Sequence, residues 1–331
     1  MRFTVIASVL LAAVNVDAFA PSVGGQRAAS TSLQSTVESV SATDFNSKLE
    51  AQLEKMASKD ASSTALSKED IKVIFEDEHI IVVDKPAGVL CVPNKANNPS
   101  LSQAVFDAYG NESNRADKMV VHRLGMDTSG VVVFARTDAA LKGMNTAFRN
   151  RSVTRSYEAL VCGSIEEAEG VINMPLMRDA AYPPYMRVST DDQQRALMGL
   201  TVEDVGKKLL ERPKESLTKF TVVGKEELEG SAVSRVSLTS ISGRTHQLNV
   251  HCAAYGHPIV GDKVYGINGE AAPNGGLEAG SVSSSSAAGA DVQEAIASAH
   301  GDKPMCVHAK TISFEHPVTR EKLSYDSATP F

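Results

Sequence analysis

The chain lacks the marks of several common protein classes. Its four cysteines, Cys91, Cys162, Cys252 and Cys306, lie far apart and form no C-x-x-C pair. That spacing argues against a disulfide framework or a zinc site and leaves free, mostly buried thiols as the reading. His246, His251, His257 and His308 show no metal-ligand spacing, so they read as hydrogen-bonding residues and no metal is expected. Positive charge is not in excess: the net charge is −7 over 331 residues. A surface coated for non-specific RNA binding is thereby excluded, but a local basic groove is not, because a patch matters more than a sum. No internal repeat is visible, and the charged and apolar fractions are those of an ordinary soluble protein.

Long apolar runs are missing as well. The run Val5–Val14 is too short to span a bilayer as a helix. It follows the positive charge of Arg2 and precedes Val16-Asp17-Ala18, a small-residue cleavage pattern, so residues 1–18 read as a signal peptide. Phe19-Ala20-Pro21 then opens a Ser/Thr/Ala-rich stretch with few acids. This arrangement resembles the two-part plastid presequence of algae with secondary plastids. It makes residues 19–43 a transit peptide or disordered segment and the plastid the expected destination, with the secretory pathway as the alternative. No membrane association is expected of the mature form.

Residues 44–70 read as a helical N-terminal extension, with Phe45, Leu49, Leu53 and Met56 at helical spacing. The core is expected over 71–325. Val73–Phe75 and Ile80–Asp84 read as strands, followed by a Pro86–Gly88 turn and a further strand. Met119–His122, Val131–Ala135, Ser156–Cys162, Lys219–Lys225 and Ser234–Ser240 are further strand candidates. Ala139–Asn150 and Thr245–Tyr255 read as helices, the second terminated by Gly256. Many strands with few helices give an α+β class with a large mixed, mainly antiparallel sheet flanked by helices and loops. Two segments interrupt it. Residues 179–217 are polar and helix-prone around Asp191–Leu210, and residues 267–300, rich in Gly, Ala and Ser, read as a flexible surface insertion.

Four segments carry the chemistry. They are Val82-Val83-Asp84-Lys85-Pro86-Ala87-Gly88, the run HRLGMDTSG from His122 to Gly130, Arg155–Gly163, and Ser242–Leu248 running on through His257–Asp262. Together, and in this order, they resemble the RNA pseudouridine synthases, in particular the bacterial enzymes that modify uridines of large-subunit ribosomal RNA and transfer RNA. The resemblance implies a pseudouridine synthase-like fold and an isomerase that needs neither metal nor organic cofactor. The bond from ribose to base N1 is broken and remade to C5. The base lies inside folded RNA and must be flipped into a pocket, at a cost of a few kcal/mol. The implied partner is ribosomal or transfer RNA, met by a chain expected to act as a monomer.

In that family an aspartate carboxylate is the nucleophile, an arginine pairs with it, and a tyrosine stacks on the base and moves the C5 proton. By position, Tyr157 matches the tyrosine, Arg244 the arginine, and Leu248 the apolar residue beneath the base. Asn249 departs from the pattern, where a basic residue is usual. His122 and Arg123 open the motif, His122 reading as structural, while Thr128 and Ser129 shape the loop. The nucleophile position itself is Gly125, which has no side chain to attack with. Asp127 is the nearby acid, but two residues along an extended chain place it roughly 6.6 Å away. Its use would need a rebuilt loop, which the backbone freedom of Gly125 would permit. The basic residues Lys142, Arg149, Arg151 and Arg155 add a strip suited to RNA. Two readings stay open: an active synthase using Asp127, or a non-catalytic RNA-binding relative that assists RNA folding or ribosome assembly. An Asp127 carboxylate bonded to Arg244 would favour the first.

Overall fold

The computed structural model describes residues 40–110, 115–282 and 284–331. The expected signal and transit segments over 1–39 lie outside the described residues. In chain order the elements are α1 (Ala42–Ala61), β1 (Lys72–Glu76), β2 (Ile80–Lys85), α2 (Leu101–Tyr109), α3 (Ala116–Met119), β3 (Ser129–Ala135), α4 (Asp138–Arg149) and β4 (Thr154–Cys162). They continue as β5 (Glu169–Asn173), β6 (Leu176–Arg178), β7 (Met186–Val188), α5 (Asp191–Ala196), α6 (Val202–Val205), β8 (Leu217–Leu228) and β9 (Ser231–Ser240). The chain closes with α7 (Gln247–Tyr255), α8 (Ala290–His300), β10 (Val307–Glu315) and β11 (Lys322–Asp326).

Nine strands form one sheet in the order β1-β2-β3-β10-β4-β9-β8-β5, with β11 paired to β10. Every neighbouring pair is antiparallel except β3 with β10. This is the large mixed, mainly antiparallel sheet of an α+β fold. The β-branched runs of β2 and β3 explain its centre, because both strands are buried on both faces. Alternation sends Ile81, Val83, Val132 and Phe134 into one core, and Ile80, Val82, Val131 and Val133 into another. The first core also takes Tyr157 from β4 and Leu248 from α7; the second takes Ala140 and Met144 from α4.

Several local expectations give way to packing. The segment after the Pro86–Gly88 turn forms only an isolated bridge, Leu90 to Ser100, and Met119–His122 contributes the end of α3 and one bridge, Val120 to Phe134. The helix expected from Thr245 begins at Gln247, because His246 takes a left-handed backbone (φ 51°). The helix-prone stretch 191–210 is divided into two short helices by Gly199 (φ 94°), and Gly206 (φ 75°) ends the second. The 267–300 segment, read from composition as a flexible insertion, is packed instead. It carries α8, buries Ala271, Ala272, Ile296 and His300, and docks Ser284 on His257 at 3.2 Å. Small residues there allow close approach: a Cβ on Gly275 would lie 2.6 Å from the Val250 carbonyl. No helix among the described residues is long and apolar enough to cross a membrane.

Candidate active site

The HRLGMDTSG loop is moulded by a buried lysine. Lys85, at the end of β2, is fully buried, and its ammonium donates to the carbonyls of Pro86, Met126 and Thr128, each at 2.9 Å. The Gly88 amide adds a bond to Met126 O at 2.9 Å, with Gly88 at φ 79°, where a side chain would be strained. Burial pushes the Lys85 pKa down to about 8, against the opposing pull of Cys91 and Asp127. The two motifs VDKPAG and HRLGMDTSG are therefore one structural unit. Lys85 stands in the VDKPAG motif, where the sequence alone marks no role for it.

His122 is a structural residue of the same unit. Its Nε2 accepts the Val133 amide at 2.9 Å, and its ring stacks on Phe148 at 5.0 Å. Burial, helped by the Arg155 charge, pushes its pKa down to about 3, so the ring is neutral at physiological pH. Arg123 stands exposed. The Thr128 amide closes a turn on the Gly125 carbonyl at 3.2 Å, and Ser129 hydrogen-bonds His308 Nδ1 at 2.9 Å.

Gly125 is exposed and does not use glycine's backbone freedom: it is absent from the positive-φ residues among those described. A Cβ built there would meet only the Thr128 hydroxyl, at 3.4 Å. The loop thus keeps a backbone that other residues can adopt, so the freedom that Gly125 offers for a rebuilt turn is not used. Asp127 lies half-exposed, and its carboxylate is paired with Lys59 of α1 at 2.5 Å.

Gly125 and Asp127 line a cavity of about 440 Å³. Its walls come from several stretches far apart in sequence. Met56, Lys59 and Asp60 of α1 form one side, while Tyr185, His246 and Tyr265 form an aromatic side with ring centroids 5.6–6.4 Å apart. The His246 ring bonds the Tyr265 hydroxyl at 3.0 Å, and burial, followed by the charges of Arg178 and Lys59, pushes its pKa down to about 4. Asp262 is also present, but its carboxylate is committed: it accepts Asn249 Nδ2 at 2.8 Å and the amides of Val264 and Tyr265 at 2.9 and 3.0 Å. Asn249 is therefore the partner of a buried carboxylate. Gln52 of α1 ties to the Tyr185 hydroxyl at 2.7 Å, so the helix is fastened across this wall.

Tyr157 and Leu248 are brought together in the core cluster beneath the sheet, with Leu124 from the loop. Arg244 is placed elsewhere. It precedes α7, donates its Nε to the Glu215 carbonyl at 3.4 Å, and lines a neighbouring cavity of about 240 Å³ with Arg178, Lys208, Arg212 and Lys214. No hydrogen bond joins Arg244 to Asp127 among the described residues; the carboxylate's partner is Lys59 instead. Three site residues have no sequence signal: Lys59 comes from the N-terminal helix, Tyr185 from the 179–217 insertion, and Tyr265 from the turn just after the His257–Asp262 run, and no motif marks them. All four cysteines are buried and free. Among the described residues no group of three or more His, Cys, Asp or Glu side chains is gathered to hold a metal.

Comparison with known proteins gives a consistent result. The RNA pseudouridylate synthase family matches residues 79–254. The dual-specificity RNA pseudouridine synthase RluA of Pasteurella multocida (strain Pm70) is 30% identical over 261 residues, covering 79% of this chain and 94% of that one. The protein of the same name from Yersinia pestis is 37% identical over 193 residues, covering 58% of this chain and 81% of its own. Among solved structures, human RNA pseudouridylate synthase domain containing 1 superposes with a TM-score of 0.56 at 24% identity, covering 81% of this chain and 87% of that chain. At that identity the superposition speaks to the fold alone.

Proposed function

The chain belongs to the RNA pseudouridylate synthase family, and from that premise we propose that it isomerises uridine to pseudouridine in ribosomal or transfer RNA, with Asp127 as the working carboxylate. The observation that carries this reading is the position of Asp127. It is the carboxylate of the motif loop, it opens into the 440 Å³ cavity, and its negative charge is held by Lys59. In the overall reaction the ribose C1′–N1 bond breaks, a C1′–C5 bond forms, and the C5 proton is replaced by one on N1, so no atom is gained or lost. Asp127 would serve as the nucleophile at C1′ as the bond to N1 breaks, and would leave as C5 bonds to C1′. Tyr157 and Leu248 lie in the core cluster and not in the wall of this cavity, so a proton-moving role for Tyr157 and a base-supporting role for Leu248 rest on the family resemblance alone. The aromatic side formed by Tyr185, His246 and Tyr265 suits a flipped pyrimidine, because stacking offsets part of the cost of flipping. His122, Arg123 and Thr128 frame the loop, and the bare backbone of Gly125 leaves the ring room to approach.

The test is single-turnover pseudouridine formation by wild-type protein and Asp127→Asn. The variant should lose all product while still binding RNA; an undiminished rate in Asp127→Asn would overturn the assignment.

One observation favours a second reading, a non-catalytic RNA-binding relative in RNA folding or ribosome assembly. Asp127 is bonded to Lys59 and Arg244 to the Glu215 carbonyl, so the family's carboxylate–arginine pair is not made. A protein that binds RNA but forms no pseudouridine under single-turnover conditions would establish it. For location we propose the plastid, reached through residues 1–43, and a monomeric state. A fluorescent fusion to residues 1–43 and light scattering on a sizing column test these two points.

A further inference from the structure

Arg244 and Thr245 line the smaller cavity and His246 lines the larger one, so consecutive residues form the partition between them. The smaller cavity is distinguished by charge. Arg178, Lys208, Arg212, Lys214 and Arg244 all face it, against Glu211 as the carboxylate of the lining, which Lys214 pairs. Like charges gathered around about 240 Å³ make a positive field that an anion entering it would meet. Two of the five are fixed by the fold. Arg178 donates to the Pro184 carbonyl from the β6–β7 hairpin, and Arg244 to the Glu215 carbonyl. Lys208 and Arg212 are exposed, and Arg212 has no ion pair among the described residues. The field reaches the partition: Arg178 is one of the two charges that disfavour the protonated His246 ring.

We propose that this cavity is a phosphate subsite, which takes a backbone phosphodiester of the RNA flanking the nucleotide held in the cavity at Gly125 and Asp127. The 179–217 insertion supplies Lys208, Arg212 and Lys214, so its role is to grip the strand beside the reacting nucleotide. Arg244 then acts as a phosphate ligand, which accounts for its retention although no carboxylate pairs with it. Guanidinium groups suit this task, because their planar forks match phosphate oxygens in pairs. The inference rests on RNA being the substrate, as proposed above.

The experiment is a salt titration of binding, read by fluorescence anisotropy of a labelled RNA stem-loop with a uridine-containing single-stranded loop. The proteins compared are wild type, the double variant Lys208→Ala/Arg212→Ala, and Lys225→Ala, an exposed lysine outside both cavities. Each phosphate contact to a single strand contributes about 0.7 to the slope of log K against log salt, so the double variant should lose about 1.4. Lys225→Ala should keep the wild-type slope, and matched melting curves check that all three are folded. An unchanged slope in a folded double variant overturns the subsite. So does a double variant that binds RNA normally and loses only inorganic phosphate, measured by calorimetry, since the cavity would then hold free phosphate. Pseudouridine formation is followed in parallel. A lost slope with no pseudouridine formed by wild type supports the subsite and removes the enzyme reading; pseudouridine formed with an unchanged slope does the reverse.

Discussion

Restoring an aspartate at position 125 tests the pocket without disturbing its frame. The Cβ added by Gly125→Asp meets only the Thr128 hydroxyl, at 3.4 Å, and the backbone there is not left-handed. The change in folding stability should therefore stay within about 0.5 kcal/mol. The new carboxylate would stand near Asp127, and the turn closed by Thr128 N–H on Gly125 O keeps the two within roughly 7 Å. Two like charges about 7 Å apart repel by about 0.6 kcal/mol in water and about 2.4 kcal/mol at an effective dielectric of 20. The larger figure raises a carboxylate pKa by less than about 2 units, so the group stays mostly ionised at neutral pH even before Lys59 is counted. A nucleophile misplaced by about 1 Å can cost about 100-fold in rate, so Gly125→Asp should raise the single-turnover rate by up to that factor. The assay is pseudouridine formation on the mapped RNA substrate under excess enzyme. A variant that melts with wild type, binds RNA as tightly and shows no gain in rate would refute the claim that the cavity is an intact uridine pocket.

Three further outcomes follow from the geometry. The exposed Lys59–Asp127 pair is worth about 0–1 kcal/mol to folding, so Lys59→Ala should leave the melting temperature nearly unchanged. The same change should lower kcat roughly tenfold, a barrier change of about 1.4 kcal/mol, and Lys59→Arg should recover most of it. Lys85→Met strands the carbonyls of Pro86, Met126 and Thr128 and should cost about 3–5 kcal/mol by urea denaturation. Its pH signature is specific: with a folded pKa of about 8 against 10.5, the unfolded chain holds this proton more tightly. Wild-type stability should gain roughly 3 kcal/mol from Lys85 as pH rises from 8 to 10.5, and Lys85→Met should lack that gain. His122 has the same sign in a lower pH window. Its folded pKa of about 3 lies below 6.5, so its neutral ring contributes stability above pH 6.5 that is lost as pH falls toward 3; His122→Phe should flatten that limb of a urea-midpoint profile.

The sheet was legible because its signal is local. The β-branched runs at Ile80–Val83 and Val131–Val133 can hardly do anything but pair, and the structure buries both strands on both faces. The HRLGMDTSG loop was legible as a motif. What the motif could not convey was partnership. Lys59 lies 68 residues before Asp127, and nothing in a helical pattern of charges says which lysine will meet a carboxylate in another segment. Composition misled over 267–300, where Gly, Ala and Ser serve close packing against α7 and not flexibility, as Gly275 against Val250 shows. The same limit explains Arg244: its place before α7 was readable, but the basic cavity around it is assembled by an insertion whose sequence reads only as polar.

The most direct test of the account is pseudouridine mapping of ribosomal and transfer RNA, organellar RNA included, from cells with and without this protein. The account predicts at least one pseudouridine that disappears with the protein, returns on re-expression of the wild type, and fails to return with Asp127→Asn. A map that is identical with and without the protein would contradict it.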